Sequence, residues 1–71
     1  MTRSSAIVAM MRGEKVRHRF FSSDEWVKMN SDGKYEFEDG VVCSPALFWK
    51  DRSGELWYDD WVIVDQYTKS T

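Results

Sequence analysis

Met10-Met11-Arg12-Gly13-Glu14-Lys15-Val16-Arg17-His18-Arg19-Phe20-Phe21 is where the chain changes period, and that change decides the fold class. Upstream, Ile7, Met10 and Met11 fall at i, i+3, i+4 spacing. This predicts a short helix over residues 4–12, capped by Ser4 or Ser5 and stopped by Gly13 at its C′ position. So short a helix does not stand alone in water and needs a surface to pack on. From Glu14 to Phe21 the pattern alternates, which predicts a strand. Val16, His18 and Phe20 share one face, Lys15, Arg17 and Arg19 the other, and Phe21 continues the arginine register.

Working outward, Ser22-Ser23-Asp24-Glu25 breaks this strand and Trp26–Met29 reads as a second. Asn30-Ser31-Asp32-Gly33 is a turn, Lys34–Glu38 a third strand and Asp39-Gly40 the next turn. Val41–Cys43 is a short strand stopped by Ser44-Pro45. After a turn at Asp51-Arg52-Ser53-Gly54, Leu56–Asp65 reads as the last strand. The expected architecture is α+β: a short N-terminal helix packed on a small antiparallel sheet of four or five strands. It forms one domain over residues 1–71, with residues 1–3 and 66–71 frayed.

Size and composition bound what this domain can do. Seventy-one residues bury only about 62% of the unfolded chain surface, so the monomer is marginal and gains from pairing. Separate cofactor and substrate domains do not fit in this length. Aromatics make up 15% and hydrophobic residues 42%, which excludes a disordered tail. No apolar run reaches the length of a membrane span, and the apolar stretch near the N-terminus is too short for a signal-peptide core. The single Cys43 makes no internal disulfide and no structural zinc site, so a reduced, cytoplasmic protein is expected. The net charge of −2 is asymmetric. Residues 1–30 carry six basic against three acidic side chains, residues 31–71 four against nine. Such a bipolar chain suits head-to-tail association and disfavours nucleic acid as a partner.

No glycine-rich phosphate loop, zinc-protease motif or nucleophile elbow is present in the sequence, so the chain is read as a non-enzyme without metal or cofactor. His18 reads as a packed histidine and Cys43 as a buried thiol. Asp59 and Asp60 are adjacent, hence on opposite faces of a strand; one is expected in solvent and one to cap a turn or pair with an arginine. Glu36, Glu38 and Asp39 read as a solvated face. Eleven rings in 71 residues exceed what so small a core holds, so some are left to meet a partner. The Arg17, Arg19, Phe21 row reads either as a ligand-facing surface or as a solvated strand face pairing with the acidic half. In the first case the rings stack on a flat ligand and the arginines hold its phosphates.

The order of these pieces resembles the Thoeris anti-defence sponge family and its small phage relatives. The resemblance rests on Gly13-Glu14-Lys15-Val16-Arg17, Phe20-Phe21, Asp24-Glu25-Trp26-Val27, Glu38-Asp39-Gly40 and Asp59-Asp60-Trp61-Val62-Ile63-Val64, and spans roughly residues 5–65. The Phe20-Phe21 pair stands where that family has a tryptophan. The resemblance implies a homo-oligomer in the host cytoplasm whose pockets sequester a cyclic ADP-ribose-type signal. The candidate ligand-binding residues are Arg17, Arg19, Phe20, Phe21, Trp26, Asp60 and Trp61. The expected function is counter-defence by stoichiometric capture of a nucleotide-derived signal. The alternative is a protein–protein inhibitor of a host defence enzyme, such as a CRISPR effector or restriction system, with the surplus aromatics as anchors.

Overall fold

A computed structural model describes residues 1–64; the expected frayed tail at 66–71 and Tyr67 lie outside the described residues. Helix α1 spans Arg3–Met11, and Thr2 rather than Ser4 or Ser5 is its N-cap, its Oγ1 accepting from the Ser5 N–H at 3.2 Å. Gly13 takes the C′ role at φ +88°, donating to the Met10 carbonyl at 2.9 Å. The buried stripe is Ala6, Ala9 and Met10, whereas Met11 is exposed. Two alanines at the contact let the helix axis approach the sheet closely.

Five short strands follow: β1 Val16–His18, β2 Val27–Met29, β3 Tyr35–Phe37, β4 Val42–Cys43 and β5 Trp61–Ile63. They form one antiparallel sheet in the order β4-β3-β2-β1-β5. The first four strands are a meander, and β5 returns to pair with β1. Gly33 at φ +78° and Gly40 at φ +88° supply the left-handed positions that close the β2–β3 and β3–β4 turns. The expected α+β class and the helix on the sheet are observed, with five strands.

Two segments differ from expectation. Residues 45–50 form a second helix, α2 (Pro45–Lys50), started by Ser44, whose Oγ accepts from the Leu47 N–H at 3.2 Å, with Pro45 in the first turn. The stretch expected as one strand over Leu56–Asp65 begins instead as a single 3₁₀ turn over Glu55–Trp57, and among the described residues its strand is Trp61–Ile63, Asp65 lying outside them. Met1 is joined to β5 by two hydrogen bonds. The Met1 carbonyl accepts from the Trp61 N–H at 3.1 Å, and the Met1 amine donates back to the Trp61 carbonyl at 2.6 Å.

One core lies between the helices and the sheet. Ala6, Ala9, Met10, Val16, Phe21, Val27, Tyr35, Phe48 and Trp61 form it, with His18 the one buried polar side chain among them. Rings meet edge-on through it: Phe21 to Trp61 at 5.6 Å, Trp61 to Trp49 at 5.4 Å and Trp49 to Phe48 at 4.8 Å. These geometries favour the ring quadrupoles and add to the area burial. Tyr35 joins the cluster by accepting from Trp49 Nε1 at 2.9 Å.

Candidate functional site

Because side chains alternate along a strand, the register settles which ones the helices cover. Val16, His18, Val27, Tyr35 and Trp61 face α1 and α2. Arg17 pairs with Val62, Lys28 with Glu36, and Glu36 with Val42, all on the opposite face. Carried one residue beyond the paired ends, the same register sets Arg17 across from Trp26 and Trp26 across from Glu38. Two rows therefore cross the face that no helix covers among the described residues. One runs Val62, Arg17, Trp26, Glu38; the other runs Val64, Lys15, Lys28, Glu36, Val42.

Trp26 is the centre of this face. It is half-buried, and Lys15 Nζ and Lys28 Nζ lie 4.4 and 5.9 Å from its ring centroids. Ammonium groups at that range are attracted by the ring face. Beside it a concavity of about 340 Å³ is lined by Arg17, Ser23, Asp24, Glu25, Trp26, Glu38 and Val64. Arg17 is steadied there by donating from Nη2 to the Ser22 carbonyl at 3.4 Å. One wall is cationic and the other is acidic.

The seven sequence-predicted site residues do not form one site. Arg17 and Trp26 meet at this groove. Arg19, Phe20 and Asp60 meet elsewhere: Arg19 Nη1 lies 3.5 Å from Asp60 Oδ2 and its guanidinium is 5.6 Å from the Phe20 ring. Phe21 and Trp61 are buried in the core and face no ligand. The reason lies at His18. Its Nδ1 accepts from the Phe20 N–H at 3.2 Å and its carbonyl from the Phe21 N–H at 2.9 Å, so the chain turns at residues 19–20 and the alternation stops. The expected Arg17, Arg19, Phe21 row is therefore absent.

Lys15, Lys28 and Glu38 were missed as candidates for this site. Their signal was present, since residues flanking a tryptophan by two on its own strand, or opposite it on neighbouring strands, share its face. Asp59 and Asp60 precede β5 and do not lie on a strand. Asp60 has φ +73°, a left-handed conformation that aspartate tolerates, and its N–H donates to Asp59 Oδ1 at 2.8 Å. Cys43 is half-buried. Among the described residues no cluster of metal-ligating side chains occurs and no helix is long and apolar enough to cross a membrane.

No protein-family model, curated protein or solved structure matches the chain. A half-exposed ring accepts a flat base, guanidinium and ammonium groups bind phosphate oxygens, and carboxylates accept hydrogen bonds from a ribose diol.

Proposed function

We propose that this chain is a non-catalytic binding protein that captures a nucleotide-derived signal, in the counter-defence role implied by its resemblance to the Thoeris sponges. The observation that carries the reading is Trp26 with Lys15 and Lys28 beside its ring, Arg17 across from it on one neighbouring strand and Glu38 on the other, on the sheet face that no helix covers among the described residues. A base stacks on Trp26, the diphosphate lies against Arg17 and Lys15, and the ribose hydroxyls donate to Glu38 or Asp24. The acidic wall distinguishes such a ligand from a bare polyanion, which it would repel. Capture needs no turnover, and His18, with both ring nitrogens engaged inside the core, is not offered to a substrate.

The groove is shallow for a ligand of this size, at the lower end of ligand-site volumes. A second copy on the same face encloses the ligand, with the basic β1–β2 half of one sheet over the acidic β3 of the other. Titration calorimetry with ADP-ribose and cyclic ADP-ribose tests the site. Stacking on one ring is worth about 1–3 kcal/mol, so Trp26→Ala is expected to weaken binding about tenfold or more with an unchanged far-ultraviolet spectrum. Full affinity in Trp26→Ala, or no heat with either nucleotide, overturns the reading.

A second reading, inhibition of a host defence enzyme by direct contact, has its own observation. Phe20, Leu56 and Tyr58 are all half or more exposed around Trp57, whose ring lies 5.5 Å from that of Phe20. Exposed large rings of this kind anchor protein interfaces.

A further inference from the structure

Two strands from Trp26, the outer edge of β5 is incompletely paired. The Val64 N–H donates to the Lys15 carbonyl at 2.8 Å. In an antiparallel ladder this turns the backbone groups of Val62 and Val64 toward β1 and those of Trp61 and Ile63 outward. Both outward groups of Trp61 are taken by Met1. The outward N–H and C=O of Ile63 have no partner among the described residues.

Beside this open rung, between the outer side of α1 and β5, lies a concavity of about 410 Å³. Val8, Ala9 and the Ile63 side chain make its apolar walls, Ser4 and Ser5 one rim and Arg12 the other. Val8 and Ile63 are both nearly half exposed there. Arg12 makes no ion pair among the described residues.

These features specify an occupant. An open backbone rung is satisfied by another extended backbone, an apolar trough by an aliphatic or aromatic side chain, and a lone guanidinium by a carboxylate. A second copy of β5 does not meet these needs. Met1 fills the Trp61 rung in both copies, so a two-fold pairing would be confined to Ile63 and would bring two Arg12 side chains to the same seam. We infer that the β5 edge receives an extended peptide of a partner protein, paired at Ile63, with one bulky apolar side chain against Val8 and Ala9 and a carboxylate at Arg12. This binding site is independent of the nucleotide groove.

Two blocked hexapeptides test it by amide NMR titration of the labelled chain: acetyl-Ser-Val-Leu-Val-Glu-Ser-amide, and the same sequence with Lys in place of Glu. The largest shift is expected at the Ile63 amide, together with slowed hydrogen exchange. The Glu peptide should bind about fivefold more tightly than the Lys peptide, the scale of one exposed ion pair. Arg12→Glu should reverse that preference while leaving any nucleotide binding at Trp26 intact. Ile63→Pro removes only an outward N–H, which an edge strand tolerates, and should abolish the peptide shifts. The inference is overturned if neither peptide shifts the Ile63 amide, if the shifts centre on the β4 edge, or if Arg12→Glu leaves the preference unchanged. The Arg12→Glu comparison decides the matter even where Ile63→Pro fails to fold.

Discussion

At the scale of single residues, His18 governs how far the sequence could be read. Since Nδ1 accepts from the Phe20 N–H, the proton sits on Nε2, which donates to the Asp59 carbonyl at 2.7 Å. One imidazole thus ties the end of β1 to the loop before β5, among the rings of Trp57, Trp61 and Phe20 at 4.4, 4.9 and 5.0 Å. Alternation identified it as a packed histidine, but a side chain that bonds its own downstream backbone leaves no trace in a hydrophobic pattern. That local bond turned Arg19 away from Arg17 and sent Phe21 into the core. Trp26 was legible because its neighbours stay in strand register. Tyr35 yields the pH prediction at this scale. Burial pushes its phenol above the ordinary value of 10.0, the hydrogen bond from Trp49 pulls it part of the way back and Cys43 adds to the rise. The unfolded chain then releases this proton first as pH rises, so the stability Tyr35 contributes is whole below pH 10.0 and declines above it. Urea unfolding from pH 8 upward should show a falling limb starting near that value, shallower in Tyr35→Phe. An equal limb in both proteins would place the titration elsewhere.

At the scale of elements, the turns were the most readable parts. Asp32-Gly33 and Asp39-Gly40 need φ above zero at glycine, and Asn30 and Asp39 accept from backbone N–H groups two residues on, at 2.9 and 3.0 Å. β2, β3 and β4 lie where the alternating runs between these turns put them. The helix α2 was missed although Ser44-Pro45 carries its start signal, because the pair was read only as the end of a strand. Its six residues have too little intrinsic helicity to announce themselves, and tertiary burial of Phe48 supplies the rest. The two contributions separate by mutation. Ser44→Ala removes a cap and should lower stability by about 1 kcal/mol. Phe48→Ala empties a core position and should lower it by about 3–5 kcal/mol. Paired urea midpoints check the order; a Ser44→Ala loss as large as that of Phe48→Ala would mean that α2 is held by its cap and not by its packing.

At the scale of the whole molecule, one layer of helices covers one side of a five-stranded sheet and, among the described residues, leaves the other side bare. Half-exposed Val42 and Val62 lie on that bare side with Trp26 between them, and the charges are sorted by strand: Lys15, Arg17 and Lys28 on or beside β1 and β2, Glu36 and Glu38 on or beside β3. A domain of this length buries too little of its own surface to be comfortably stable, so covering this face is worth a large fraction of its folding free energy. Sorted charge also gives the contact a recognisable salt response. If two copies pair basic half over acidic half, the melting temperature should rise with protein concentration. That rise should shrink between about 0.1 M and 1 M salt, as the screening length falls from about 10 Å to about 3 Å. Purely apolar pairing would keep its concentration dependence in high salt, since added salt does not weaken burial. A captured nucleotide at 100 times its dissociation constant should add about 2.7 kcal/mol, which moves the midpoint of so small a domain by more than about 10 °C. Scanning calorimetry over protein concentration, salt and ADP-ribose therefore separates three contributions on one sample. A midpoint independent of concentration and unmoved by nucleotide would leave the bare face to a partner protein. Trp26→Ala should then weaken binding of that partner and leave the unfolding of the chain nearly unchanged.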